Sequence, residues 1–148
     1  SGCTDRRRRQ AVKSCSCDLC DPERTEWNGM KALGLIASLL GFAAVALGAF
    51  GAHGLEGVLT AEGTDWWHTA TLYALPHSVA ALAISLHGNT GLLRKAGWAF
   101  AIGTIIFAGT LYAMALGAPR WFGAITPIGG VGLLVGWALC AFGARKAA

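Results

Sequence analysis

The sequence predicts an all-α integral membrane protein, four transmembrane helices in a compact bundle, and three observations carry that reading. Of 148 residues only 14% are charged and 54% are hydrophobic, where a soluble domain carries roughly 25% charge. From residue 30 onward, charged positions bound four apolar runs, each longer than the roughly 20 residues that cross about 30 Å of hydrocarbon. The runs are solid rather than alternating, so helices and not barrel strands must satisfy the backbone in lipid. A mean hydropathy of +0.49 excludes an ordinary soluble enzyme and a disordered chain alike. The net charge of +4 is not a nucleic-acid signal, because much of the basic character sits in Arg6–Arg9 or at helix ends.

Residues 1–29 form a polar, Cys- and Arg-bearing tail that stops at Met30. It reads as a disordered segment or an upstream extension of the membrane domain at 30–148. As a targeting peptide it lacks an apolar stretch and carries Asp5, Asp18, Asp21, Glu23 and Glu26. Cys17 and Cys20 make one CxxC, but Cys3 and Cys15 do not make the second that the paired CxxC spacing of zinc modules needs, so no metal is expected there.

The first span covers about 32–53 and places Gly34, Gly41 and Gly48 at seven-residue spacing. The second, 66–87, contains Pro76, which removes a backbone bond and crowds the Leu72 carbonyl, so a kink is expected. The third is 96–117. The fourth, 126–144, starts with Thr126 as N-cap and Pro127 in the first turn, and carries Gly132 and Gly136. Small faces of this kind let helix backbones approach closely in lipid, within one protomer or between partners.

Charge placement sets orientation. Lys31, Arg94, Lys95, Arg145 and Lys146 share one side, whereas Glu56, Glu62 and Asp65 lie on the other with Arg120. The positive-inside rule then puts both termini in the cytoplasm. Trp66, Trp67, Trp98 and Trp121 fall near span ends, as headgroup-level anchors do.

Two groups of polar residues are candidates for function. Thr69, Tyr73, His77 and Ser85 recur at multiples of four, giving one polar stripe toward the bundle interior. His77 lies about 16 Å into its span, near the midplane, where an ionisable residue is a functional candidate. Its bland alternative is a neutral histidine held by a hydroxyl or by the carbonyl that Pro76 leaves free. On the acidic side, His53, Glu56, Asp65, His68 and Arg120 form the second group. Histidine with carboxylate suits zinc, but outer-loop acids are ordinarily solvated, and pairing of Arg120 with Glu56 or Asp65 is the simpler expectation. No cofactor is expected: spans three and four hold no histidine to complete a haem site with His77, and no span holds an acid for carboxylate-based antiport.

The order of these motifs is recognisable. Gly48-Ala49-Phe50-Gly51-Ala52-His53-Gly54-Leu55, Thr69-Ala70 with Tyr73 and His77, Gly97-Trp98 with Leu111-Tyr112, and Ile125-Thr126-Pro127-Ile128-Gly129-Gly130 before Gly136-Trp137 resemble the transmembrane protein 256 family, whose bacterial members are grouped as domain of unknown function 423. The resemblance covers about residues 30–148. It implies a small four-helix integral membrane protein, in bacteria usually of the inner membrane, with recurring positions at His53, Tyr73, His77, Thr126 and Pro127 but no catalytic role attached to them. Where relatives commonly have a His-Ala-Leu run, His77 is here preceded by Pro76 and followed by Ser78 and Val79.

The expected function is therefore that of a structural or accessory component, non-enzymatic on balance, packing through glycine-rich helix faces with itself or in a larger membrane complex. The alternative is a small transporter or proton or solute conductor that uses the midplane His77 and Tyr73. A third reading, a membrane enzyme with a metal at His53, Glu56 and His68, has the least behind it.

Overall fold

The computed structural model describes residues 22–87 and 91–147, and among them every element is helical. Four long helices, α1 (Pro22–His53), α2 (Ala61–Leu86), α3 (Leu92–Ala115) and α4 (Thr126–Ala147), follow one another, with a short 3-10 turn at Arg120–Ala124 before α4. All four have a segment long and apolar enough to cross a membrane, at Asn28–His53, Ala61–Leu86, Leu92–Ala115 and Arg120–Arg145. The first helix starts upstream of the boundary set at Met30, taking residues 22–29 into its first turns. The remainder of the expected tail, with the four cysteines and the Arg6–Arg9 run, lies outside the described residues.

Each connection has a local cause. Thr60 caps α2, its hydroxyl accepting from the Gly63 N–H at 3.1 Å. At the end of α3 the chain turns through Gly117 at φ +99°. There the Gly117 N–H donates to Met114 O at 3.0 Å and the Ala118 N–H to Ala113 O at 2.9 Å, the paired bonds of a Schellman stop that glycine makes without steric cost. Pro119 follows. Residues 87–91 join α2 to α3 at the opposite end, Gly91 adopting φ +74°.

The helices run antiparallel in sequence, so the 54–60 and 116–125 connections share one end and the 87–91 connection the other. Helix α3 is central, packed against α2 and α4, while α1 lies on α2 and touches α3, and α1 and α4 have no substantial contact. Two apolar clusters fill the interior. One joins Leu33, Ala37, Ala81, Phe100, Ala101 and Leu133; the other joins Ala44, Ala70, Ala74, Ala108, Leu111 and Met114. Between them along the chain directions fall Gly41 on α1, His77 and Ser78 on α2 and Thr104 on α3. The last three are all buried, so the core is divided by a polar layer at mid-height. The outward surface is apolar, with Leu35, Phe42, Leu72, Ile128 and Leu134 well exposed, because its solvent is hydrocarbon and burying such groups gains nothing there.

The seven-residue glycine series of α1 meets a matching series on α2. A Cβ at Gly34 would lie 3.0 Å from Ser85 Oγ, one at Gly41 3.4 Å from Ser78 Oγ, and one at Gly48 3.0 Å from Thr71 Cγ2. Each facing hydroxyl bonds its own helix: Ser85 to Leu82 O at 2.7 Å, Ser78 to Leu75 O at 2.8 Å and Thr71 to Trp67 O at 3.1 Å. On α4 a Cβ at Gly132 would meet the Gly103 backbone at 3.2 Å, and one at Gly136 the Phe100 ring at 2.5 Å. These five glycines thus face neighbouring helices of the same chain.

Candidate functional site

Pro76 sits on the exposed side of α2, and the helix is continuous through it. One residue on, His77 turns inward and is 8% exposed. Its Nδ1 lies 2.7 Å from the Tyr73 carbonyl oxygen. On the other side of the ring, the Trp137 indole N–H of α4 points at Nε2 over 3.1 Å. A carbonyl can only accept and an indole can only donate, so the two partners select the neutral imidazole with its hydrogen on Nδ1. The carbonyl used is that of Tyr73, not the Leu72 carbonyl that Pro76 deprives of its usual donor.

Aromatic rings enclose this histidine. Tyr73 lies parallel to it with centroids 6.0 Å apart, Phe100 at 5.6 Å and Trp137 at 6.1 Å. Phe100 and Trp137 meet edge-on at 5.1 Å, and Tyr73 tilts onto Phe107 at 4.9 Å. The cluster therefore ties α2, α3 and α4 together at mid-height. Tyr73 itself is 43% exposed. The single polar stripe expected from spacing divides into two: Tyr73 and His77 look toward α3 and α4, whereas Ser85 looks toward Gly34 of α1. Four-residue steps drift around a 3.6-residue helix, and over 16 residues that drift moves Ser85 to another face. Thr69 is half-buried.

A second polar chain links α1, α2 and α3 near the acidic end. Trp67 is 5% exposed, and its indole N–H donates to Leu47 O at 2.9 Å. Thr71 donates to Trp67 O, so at 2.9 Å it is the Tyr112 hydroxyl that donates to Thr71. Tyr112 also stacks edge-on against Trp67 at 4.6 Å. Trp67 is thus a helix-to-helix clamp rather than the headgroup anchor expected from its position; Trp121, 62% exposed, retains the surface position. Near the start of α4, Thr126 is helical and its hydroxyl lies 2.8 Å from that of Thr110. Its expected capping role gives way to this bond across helices.

The acidic-side group is not brought together as expected. Arg120 pairs with Glu62, Nη2 to Oε2 at 2.7 Å, rather than with Glu56 or Asp65. His53 ends α1 and is exposed, as is Asp65 on α2. Glu56 and His68 line one cleft between the end of α1 and the start of α2. Among the described residues, no three His, Cys, Asp or Glu side chains are grouped as a metal would require.

The sequence pattern alone does not mark Trp137, Trp67, Thr110 or Tyr112 as hydrogen-bonding residues. A usable signal existed for Trp137: it lies eleven residues into its helix, away from either interface, where an indole N–H needs a protein acceptor.

Comparison with known proteins decides the family. Residues 47–130 match the family described as protein of unknown function (DUF423). The chain belongs to the DUF423 family. It is 42% identical to a UPF0382 membrane protein of Staphylococcus saprophyticus over 119 residues, 79% of this chain and 99% of the relative. The UPF0382 membrane protein YwdK of Bacillus subtilis is 41% identical over 77% of this chain and 94% of its own length. The UPF0382 inner membrane protein YgdD of Escherichia coli is 38% identical over 76% and 88%. No solved structure matches. With four apolar helices and these relatives, the DUF423 chain is a multi-pass membrane protein, and its matched segment takes in the Trp67 clamp, His77 and the Thr110–Thr126 contact.

Proposed function

We propose that this protein is a structural or accessory component of the bacterial inner membrane, with both termini cytoplasmic and without catalytic chemistry of its own. The observation that carries the reading is the engagement of both His77 nitrogens inside the protomer. The most suggestive reactive group of the membrane interior is a cross-brace between α2 and α4. The hydroxyls of Thr71, Ser78, Ser85 and Thr110 likewise bond backbone carbonyls of their own helices. Gly34, Gly41, Gly48, Gly132 and Gly136 support the same reading as the means of close packing within the chain. Any partner would then meet other surfaces, among them the outer faces of α1 and α4.

The inner-membrane placement draws on the likeness to YgdD of E. coli, an inner membrane protein by name. Orientation draws on Lys31, Arg94, Lys95 and Arg145 gathering at the end opposite Glu56, Glu62 and Asp65. A membrane-impermeant maleimide should label Glu56→Cys in intact cells and Lys95→Cys after lysis; the reverse pattern would invert the topology.

Native mass spectrometry of the protein released from its own membrane tests the role. A homo-oligomeric or heteromeric mass is expected. A lone, partner-free protomer would overturn the accessory reading. Conduction through His77 is the competing view, and it requires the Trp137 bond to open. In proteoliposomes, a proton flux that His77→Ala abolishes in a folded protein would establish that view instead.

A further inference from the structure

Beneath the 54–60 connection, the end of α1 and the start of α2 enclose a cleft of about 520 Å³. Leu55 and Leu59 give it apolar walls, and Glu56 and His68 are its titratable side chains. The hydroxyls that also line it are engaged, Thr64 with Thr60 O at 3.1 Å and Thr71 with Trp67 O at 3.1 Å. Glu56 and His68 differ: among the described residues neither has a hydrogen bond or ion pair. The basic residue at this end, Arg120, is already 2.7 Å from Glu62. Among the described residues, Glu56 therefore presents a carboxylate with no cation on it, in a cleft close in sequence to Trp66 and Trp67, where headgroup-level residues are expected.

We propose that this cleft binds the head of an aminophospholipid, the ammonium on Glu56 and the phosphate on a His68 N–H. Charge complementarity selects the head. The acid, without a cation among the described residues, calls for one, and the imidazole lining the same cleft supplies a donor for the anionic half of a zwitterion. A primary ammonium offers three donors, whereas the choline head offers none and glycerol carries no charge. The apolar walls of Leu55 and Leu59 suit a ligand whose chains remain in the bilayer and favour a lipid over a free amine.

The test is native mass spectrometry of the full chain in nanodiscs holding equal amounts of phosphatidylethanolamine, phosphatidylcholine and phosphatidylglycerol. The wild type should retain phosphatidylethanolamine preferentially. Glu56→Gln should lower that preference about tenfold, the loss of one charge-assisted hydrogen bond, with thermal unfolding unchanged because Glu56 is exposed. His68→Ala gives an independent reading: it removes the donor to the phosphate that all three lipids carry, so it should lower retention of all three together. Glu62→Gln, at the same end but outside the cleft, should change nothing. Unaltered retention in Glu56→Gln, or an equal loss in Glu62→Gln, would overturn the site. Displacement of the lipid by soluble phosphoethanolamine at matching concentration would overturn the lipid as its occupant.

Discussion

The indole of Trp137 donates to Nε2 of His77 across 3.1 Å, joining two helices that are not sequence neighbours and fixing the tautomer of a buried imidazole. Replacing Trp137 with Phe keeps the ring against Phe100 but removes the donor, leaving a buried acceptor without a partner. Interhelical hydrogen bonds in membranes average about 0.6 kcal/mol and reach about 1.7 kcal/mol in double-mutant cycles. With His77 only 8% exposed, the upper half of that range is expected. A cycle of His77→Phe and Trp137→Phe, read by unfolding in detergent, should give a coupling of about 1 kcal/mol. A coupling near zero would mean that the bond contributes nothing to the fold.

Much of this fold was legible because lipid leaves the backbone few choices. The four apolar runs became four helices, and charges and prolines marked their ends. Side-chain pairings were less legible, for physical reasons. A Trp near a span end satisfies the same sequence pattern whether it anchors at the headgroups or clamps a neighbour, and Trp67 does the second because Gly51 leaves room for it. The polar stripe failed at Ser85 because a four-residue repeat rotates off its face. The Arg120 partner could not be read because Glu56, Glu62 and Asp65 are equivalent by sign, and only the relative placement of α2 and the Arg120–Ala124 turn selects Glu62.

Two glycines should answer the same substitution in opposite ways. A Cβ at Gly129 would stand 2.5 Å from the Phe107 backbone nitrogen and 2.8 Å from its Cα, and backbone cannot move aside cheaply. Gly129→Ala should therefore destabilise by about 1–3 kcal/mol, the usual range for overpacking. Gly109, on the exposed side of α3, has nothing within 4 Å of the same position. There Gly109→Ala should be neutral or stabilising by up to about 1 kcal/mol through helix propensity. Thermal denaturation of both variants in one detergent checks the contrast, and equal effects would refute the α3–α4 contact.

The Arg120–Glu62 pair should matter little to stability. Its side chains are 81% and 53% exposed, and ion pairs in such settings contribute about 0–1 kcal/mol. Arg120→Gln and Glu62→Gln, singly and together, should unfold within that range of the wild type, with any difference shrinking as salt is raised. A larger, salt-insensitive loss would contradict the exposed setting of the pair.

Gly51 and Trp67 should behave as one unit. The Trp67 indole occupies the space where a side chain at position 51 would begin: a Cβ on Gly51 would overlap Nε1 and Cδ1 of the ring. That placement lets the indole reach Leu47 O, one turn back on α1, at 2.9 Å. Gly51→Ala must then expel the ring and break the α1–α2 tie, and Trp67 is too tightly packed by Tyr112 to shift freely. A loss of about 1–3 kcal/mol is expected, combining overpacking with an unmade buried bond. In a Trp67→Leu background the obstructing ring is gone, so the same Gly51→Ala change should cost little or gain slightly from helix propensity. The signature is this non-additivity, measured by unfolding of the two single variants and the double variant. Strict additivity would show that residues 51 and 67 do not share the space.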